Sequence, residues 1–207
     1  MLKIVESSIK TTNISTYQNF VIQSQSDPNV KLSLEKCNSV IENYWLGLAL
    51  CHTCSIQYSE ETKQLDYICV SPDSIELVKA AKYQGWHFID SGKADIRRIQ
   101  IGEKENNIKD FQILNIIEFS SDRKRESIIV RDNDLIKLYC KGADSIIEAR
   151  LSNQSRKDIL EQGKKFVDKF SALGYRTLYI AMRILSEREY EIFNETLKEG
   201  QMSLEDK

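Results

Sequence analysis

The residues best suited to chemistry lie at the ends of neighbouring predicted strands in the middle of the chain. An apolar run ends at Phe119, and a polar turn with successive cations at 123–125 follows it. Lys141 ends a later strand and is followed by Gly142 and by a predicted helix that starts at Asp144. An exposed ring can stack on a base, which contributes about 1–3 kcal/mol at single-stranded nucleic-acid sites. Because a lysine and a helix N-terminus both favour phosphate, the layout is suited to a nucleotide.

Each of these features also has an ordinary structural explanation. Phe119 could be a core residue at the end of its strand, and the cations at 123–125 could form a solvated turn. The sequence Lys141-Gly142-Ala143 is short and therefore weakly specific, although its small residues leave room for a ligand beside the backbone. Position along the chain does not decide between these alternatives.

Other nucleotide-binding and catalytic signatures do not occur in the sequence. The chain has neither the Gly-x-x-x-x-Gly-Lys-Ser/Thr loop nor Gly-x-Gly-x-x-Gly, and it holds only 8 glycines. It has no nucleophile elbow, and its 2 histidines, His52 and His87, have no evident serine or cysteine partner. P-loop proteins, Rossmann proteins and triad hydrolases are therefore excluded.

The cysteines favour a reducing, cytosolic setting. Full disulfide pairing would leave one of the 5 cysteines over, and a chain of this size does not need such cross-links. The segment Cys51-His52-Thr53-Cys54 resembles half of a metal or redox site, but no second ligand pair follows at zinc-finger spacing. Buried helical thiols are the favoured interpretation, and we predict no metal site.

Composition limits the possible partners. The 207 residues are 41% hydrophobic, which is enough for the core of one sizeable domain. A net charge of −2 gives no general attraction to nucleic acid or to anionic lipid headgroups. No apolar run approaches the roughly 18 residues of a membrane span, and the N-terminus lacks the features of a signal peptide. By itself the chain is therefore expected to be soluble.

The pattern of apolar residues predicts an α+β fold, with a mainly antiparallel sheet flanked by helices. Residues 1–33 are polar and predict a loop or an edge segment, and 34–207 form the single domain to which it belongs. The predicted helices are 34–53, 72–83, 144–151, 159–170 and a last one capped by Ser186 and Glu189. The predicted strands are 65–70, 86–90, 96–101, 111–119, 126–131, 135–141 and 175–182. Because short turns such as 132–134 join consecutive strands, these pair antiparallel.

Several short segments occur in the order in which a known family has them. They are 48–53, 71–73, 77–81, 113–125, 138–144 and 174–178, and they include Ser71-Pro72-Asp73 and Lys141-Gly142-Ala143-Asp144. This ordered set resembles the nucleotide-binding domain of P-type ATPases, and within that superfamily it is most similar to the phospholipid flippases. The resemblance spans roughly residues 40–195 and implies the fold of that domain.

The resemblance implies roles for individual residues around a bound ATP. The residues implied at the nucleotide are Phe119, Lys141, Arg176, Lys124, Ser121, Gly142, Ser74 and Asp73. Phe119 would stack on adenine, and Lys141 would lie at the base of the pocket. Lys124 and Arg176 would reach toward phosphate or ribose, with Ser121 as a nearby polar contact.

One of these positions departs from the family pattern. The family usually has glutamate directly after Ser-Pro-Asp, where it helps to recognise the adenine amino group, but this chain has Ser74. Asp73 and Glu76 are the candidate replacements, although Glu76 projects from a different part of the predicted helix. Selectivity for adenine would then depend on these neighbours.

The family's catalytic motif does not occur in this sequence. Asp-Lys-Thr-Gly and the downstream Mg²⁺-binding aspartates are missing, so the chain resembles an excised domain with no catalytic residue of its own. As the cytosolic domain of an integral membrane pump it would hold ATP, with Mg²⁺ mainly outside it, and deliver the γ-phosphate to an aspartate elsewhere. Its partners would be the phosphorylation, actuator and transmembrane domains, and phospholipid would be reached only through the membrane domain. The alternatives are a cation-pump domain, or a regulatory or interaction module that has lost nucleotide binding.

Overall fold

The computed structural model describes residues 28–60, 64–90, 92–102, 106–152 and 157–205. The helices are α1 (Pro28–Leu50), α2 (Pro72–Tyr83), α3 (Asp144–Glu148), α4 (Lys157–Ala172) and α5 (Glu187–Glu205). The strands are β1 (Ser55–Ser59), β2 (Gln64–Ile68), β3 (Trp86–Ile89), β4 (Ile96–Ile101), β5 (Ile108–Ile117), β6 (Arg125–Asp132), β7 (Leu135–Gly142) and β8 (Tyr179–Leu185).

The six strands β3 to β8 form one antiparallel sheet in which neighbours in sequence are neighbours in space. Strands β6 and β7 are joined by the tightest turn, because Asp132 pairs with Leu135 and only Asn133 and Asp134 lie between them. Asn133 has φ +53°, the left-handed conformation that such a two-residue hairpin turn requires. Strands β1 and β2 form a separate antiparallel hairpin.

Helices cover both faces of the large sheet, which confirms the predicted α+β fold. Helices α1 and α2 pack on the face that carries Ile128 and Tyr139, and the Tyr139 hydroxyl donates to Asn43 of α1 over 3.1 Å. Asn115 is paired with Ile129, and both lie on the face opposite to Ile128 and Tyr139. The Asn115 side-chain amide donates to Asn194 of α5 over 3.4 Å.

Buried apolar side chains of α1, α2 and the sheet form the main core. The fully or nearly fully buried members are Tyr44, Trp45, Leu46, Leu48, Ala49, Leu50, Cys51, Ala81, Ile99, Phe111, Ile128, Val130, Tyr139 and Ile180. At Gly47 a Cβ atom would lie 2.8 Å from Ile180 and 2.9 Å from Tyr139. Glycine at this position therefore lets α1 approach strands β7 and β8 closely.

Two helix starts follow the capping signals in the sequence. The Ser71 hydroxyl accepts from the Ser74 backbone N–H at the start of α2, and Pro72 occupies the first turn. At the start of α5 the Ser186 hydroxyl accepts from the Glu189 N–H over 3.3 Å, and the Glu189 carboxylate accepts from the Ser186 N–H over 2.8 Å. This reciprocal pair is the predicted capping box.

Several predicted boundaries were wrong. Helix α1 begins at Pro28 rather than at residue 34, so the end of the predicted polar segment is helical, and residues 1–27 lie outside the described residues. Strand β5 ends at Ile117, which leaves Phe119 beyond the sheet. Strand β8 begins at Tyr179 rather than at residue 175, because its first partner is Gly142, the last residue of β7.

Two further differences concern short elements. Strand β1 was not predicted, and it forms a hairpin with β2 in which Ser55 pairs with Ile68. Helix α3 ends at Glu148, three residues earlier than predicted. Within the described ranges, no helix has the length and apolar character needed to cross a bilayer.

Candidate functional site

Lys141 lies at the end of β7 and is almost completely buried, with 3% of its side chain exposed. Its ammonium nitrogen is 2.7 Å from a carboxylate oxygen of Glu126 on β6 and donates to the Ser74 hydroxyl on α2 over 3.4 Å. The Ser74 hydroxyl donates to the same Glu126 oxygen over 3.3 Å. Three elements thus contribute to one polar cluster, which satisfies a charge that would otherwise be costly to bury.

The alternation of side chains along β7 explains why this lysine is inside. Tyr139 and Lys141 are two residues apart and therefore lie on the same face, against the helices that supply Asn43 and Ser74. Glu126 lies directly opposite Lys141 in the antiparallel register, so the two charges face each other on neighbouring strands.

A cavity of about 490 Å³ opens beside this cluster. Its lining comes from α1, α2, α4, the end of β7, the segment that leads into β8 and the start of β8. The lining residues are Tyr44, Leu48, Asp73, Glu76, Leu77, Lys141, Gly163, Phe166, Val167, Phe170, Leu173, Tyr175, Arg176, Thr177, Leu178, Tyr179 and Ile180. The volume and the mostly apolar wall with a few charged groups are typical of a small-molecule site.

The charged groups at the cavity form pairs that differ greatly in exposure. Arg176 is 2.9 Å from an Asp73 carboxylate oxygen, and 83% of its side chain is exposed. Glu76 pairs with Lys79 over 3.2 Å on the surface of α2. Asp73 and Glu76, the candidate replacements for the family glutamate, are thus each bound to a solvent-exposed cation and do not pair with Lys141.

Phe119, Ser121 and Lys124 lie on the loop between β5 and β6 and do not line this cavity. The Phe119 side chain is 61% exposed, so core packing does not account for it. Ile117 is paired with Ser127, next to the Glu126–Lys141 pair, so the loop leaves the sheet at the same end as Lys141. The ring is therefore accessible for stacking at the end of the sheet where the buried lysine lies.

Gly142 joins this loop to the end of β7. A Cβ atom at Gly142 would lie 2.5 Å from the Lys124 carbonyl oxygen and 2.8 Å from the Arg125 Cα. The Ala143 N–H donates to the same Lys124 carbonyl over 3.1 Å, and Lys124 itself has φ +50°. The space beside Gly142 that the sequence assigned to a ligand is thus filled by the chain's own backbone.

The Cys51-His52-Thr53-Cys54 segment follows α1 rather than belonging to it, so its thiols are buried but not helical. Burial raises the pKa of the Cys51 thiol and of the Cys54 thiol to about 12, which leaves both protonated at neutral pH. Across the part of the chain that the structure describes, no three His, Cys, Asp or Glu side chains are grouped as metal ligands would be.

His52 is committed to structural hydrogen bonds. Its Nε2–H donates to the Ala49 carbonyl over 2.8 Å, and its Nδ1 accepts from the Cys54 N–H over 3.0 Å and lies 2.8 Å from an Arg97 guanidinium nitrogen. Burial, together with the charge of Arg97, holds the pKa of His52 well below its ordinary value. The imidazole is therefore neutral and has both ring nitrogens in use.

Residues 41–206 match the sequence model of a family described as P-type ATPase, cytoplasmic domain N. The chain belongs to this family. The match covers nearly all of the described domain, including Lys141, Glu126 and the cavity.

Curated relatives of this N domain are described as phospholipid-transporting ATPases. Probable phospholipid-transporting ATPase 12 of Arabidopsis thaliana is 37% identical over 168 residues, which are 80% of this chain and 14% of the relative. Phospholipid-transporting ATPase DNF1 of Saccharomyces cerevisiae is 41% identical over 74% of this chain and 10% of the relative. Phospholipid-transporting ATPase IG of Homo sapiens is 33% identical over 80% of this chain and 15% of the relative. The N domain thus spans only a small part of the length of these relatives.

The structure brings the predicted site residues of the N domain together in pairs. Ser74 contacts Lys141, and Asp73 contacts Arg176. The Lys124 carbonyl oxygen accepts from the N–H of Ala143, the residue after Gly142. Among the described residues, Phe119 and Ser121 form no side-chain contact with any of these three pairs.

Sequence reasoning missed two parts of the N domain site. The signal for Glu126 is the length of the hairpin turn, because a two-residue turn at Asn133 and Asp134, rather than the predicted turn 132–134, sets Glu126 opposite Lys141. The second part is the wall formed by Phe166 and Phe170, whose rings stack with centroids 6.3 Å apart. Their spacing of four residues predicted a helix face but did not indicate that the face borders a cavity.

Proposed function

We propose that this N domain binds ATP and presents its γ-phosphate to an aspartate on a separate domain of a phospholipid-transporting pump. The names of the relatives support the lipid-transporting class over a cation pump. Because the chain matches 10–15% of the length of those relatives, lipid movement would depend on segments outside the matched region.

The observation that carries the proposal is the cavity beside Lys141, at the end of the sheet where the exposed Phe119 ring also lies. In our proposal adenine stacks on Phe119 and lies near Lys141. Arg176 and Lys124, which are both exposed, reach toward ribose or phosphate. Guanidinium and ammonium groups are suited to phosphate, the first as a fork and the second as a point charge.

The remaining site residues have supporting roles in this proposal. Ser121 is exposed on the loop that carries Phe119 and would be a polar contact for the nucleotide. The Asp73 carboxylate pairs with the Arg176 guanidinium, so an incoming phosphate would compete with Asp73 for that group. Gly142 fixes the loop to β7, and Ser74 contributes a hydroxyl to the Lys141 cluster.

Catalysis would require a second domain. This chain would hold ATP so that the γ-phosphate lies in line with the acceptor aspartate. Its contribution to catalysis would be to orient the two reacting groups. Mg²⁺ bound mainly outside the domain would offset the developing charge on the phosphate oxygens. The isolated chain is therefore expected to bind ATP with little need for Mg²⁺ and not to turn it over.

Calorimetric or NMR titration with ATP and GTP tests this proposal. Wild-type protein should bind ATP saturably, and Phe119→Ala should weaken binding by about 1–3 kcal/mol through lost stacking. Tyr83→Ala is a matched control, because Tyr83 is an 83% exposed ring at the end of α2 away from Asp73. The affinity of Tyr83→Ala for ATP should equal that of wild type.

Two outcomes would contradict the proposal. A folded wild-type domain that does not bind ATP would point instead to a regulatory or interaction module of the same fold. Sustained phosphate release by a clean preparation would show that the isolated chain hydrolyses ATP. Equal affinity for ATP and GTP would leave nucleotide binding intact but remove the selectivity for adenine.

A further inference from the structure

We propose that Glu126 is the positioning residue for Lys141, and that it supplies from the sheet the carboxylate that the resemblance predicts on α2 at position 74. This inference rests on the proposed nucleotide function. It assigns a site role to a residue on β6 that belongs to none of the sequence motifs quoted for the nucleotide site.

The contacts of the cluster favour this assignment. One Glu126 oxygen is 2.7 Å from the Lys141 ammonium and 3.3 Å from the Ser74 hydroxyl, so the carboxylate lies between the two. The Glu126 side chain is only 13% exposed and the Lys141 side chain 3%. The small Ser74 side chain is itself buried, and its hydroxyl binds both charged groups. A serine at position 74 thus leaves the cluster with one carboxylate, which comes from position 126.

The other carboxylates beside the cavity do not fill this role. Asp73 is bound to Arg176 and Glu76 to Lys79, and both of these cations are at least half exposed. Among the described residues, Glu126 is the acidic side chain that forms an ion pair with Lys141. The replacement for the predicted glutamate is therefore not one of the neighbours on α2.

Holding Lys141 in one place has a consequence for a ligand. A lysine ammonium has three N–H donors on a flexible stem, and Glu126 and Ser74 account for two of them. The remaining donor belongs to a side chain that lines the cavity. Because Glu126 fixes the stem before the nucleotide arrives, binding does not have to order it.

Moving the carboxylate back to α2 tests the assignment. ATP affinity and melting temperature are measured for the 207-residue chain as wild type and as E126Q, E126S, S74E and S74E/E126S. E118Q is the matched control, because Glu118 is an exposed carboxylate on the loop at the same end of the sheet. Each single change at 126 should weaken ATP binding roughly tenfold to hundredfold, and S74E should also weaken it by placing two carboxylates around one lysine. The double variant should bind ATP nearly as wild type does, and E118Q should match wild type.

The outcomes separate positioning from a purely structural role. If the pair only stabilises the fold, melting temperatures will fall while the affinity of the folded protein for ATP stays unchanged, and the proposal is wrong. It is equally wrong if S74E/E126S binds no better than E126S. If E126S does not fold, the affinity of E126Q for ATP is measured instead. In that case S74E/E126S should fold, and a double variant that does not fold would oppose the proposal. Wild type that does not bind ATP would overturn the proposed function and this inference together, whereas wild type and E126Q with equal affinity would overturn the inference alone.

Discussion

Lys141 and Arg176 are both cations of the same cavity, but they are held in opposite ways. The Lys141 side chain is 3% exposed and bound to a carboxylate on the neighbouring strand. The Arg176 side chain is 83% exposed and bound to Asp73 at the surface. Breaking a buried pair is strongly destabilising, whereas an exposed pair contributes little. The interior of the site, the Lys141–Glu126 pair, is therefore coupled to the stability of the fold. The rim of the site, the Arg176–Asp73 pair, is not.

The largest effect should come from the buried lysine. Lys141→Met removes the cation that pairs with the buried Glu126 carboxylate, which should lower the free energy of unfolding by about 3–5 kcal/mol. Denaturant unfolding measures this change. Changing Glu126 to Met as well should recover most of the lost stability but not the ATP affinity. A double variant as unstable as Lys141→Met would show that packing, not the unpaired charge, dominates.

The second-largest loss of stability should come from Gly142→Ala. The added methyl group would meet the Lys124 carbonyl oxygen at 2.5 Å, and that atom belongs to backbone that cannot rotate away. Overpacking of this kind costs about 1–3 kcal/mol of stability. Thermal unfolding gives the loss, and an alanine variant as stable as wild type would mean that the loop is not held against β7.

Acid should destabilise the buried interior through His52. Its pKa in the folded protein is well below the ordinary value because of burial and of Arg97. Below about pH 6.5 the unfolded chain therefore binds a proton that the folded chain does not, so stability is full above that pH and falls by about 1.4 kcal/mol per pH unit beneath it. Unfolding of His52→Gln at pH 7, 6 and 5 should show a shallower fall than wild type.

His87 provides the matched control for this pH effect. Burial and the charge of Lys82 also lower the pKa of His87, but His87 is only half-buried. His87→Gln should therefore flatten the pH dependence less than His52→Gln does. A wild-type chain whose stability does not change between pH 7 and 5 would contradict both assignments.

The smallest effect on stability should come from the rim. Arg176→Ala removes an exposed ion pair with Asp73 and should change the free energy of unfolding by less than about 0.5 kcal/mol. If Arg176 reaches phosphate, ATP affinity should fall even so, and more at low salt than at high salt. A large loss of stability in this variant would erase the distinction between the interior and the rim.

The sequence predicted most of the sheet because local signals determine it. Alternating apolar residues and short turns located the strands from 86 to 142, and Ser186 with Glu189 located the start of α5. The Glu126–Lys141 pair was missed because it depends on register, which changes if the turn at Asn133 holds one residue more or less. The exposure of Phe119 was likewise undecided, since it depends on where β5 ends relative to its partner strand.

Gly142 has a consequence for the entropy of binding. Its missing side chain lets the backbone of Lys124 and Arg125 lie against the end of β7, so one end of the loop that carries Phe119 is held against the strand that carries Lys141. The conformational freedom of that end of the loop is lost when the protein folds, and a nucleotide that binds there does not have to restrict it again. A residue with no side chain of its own thus contributes to affinity by setting how ordered the surface is before any ligand arrives.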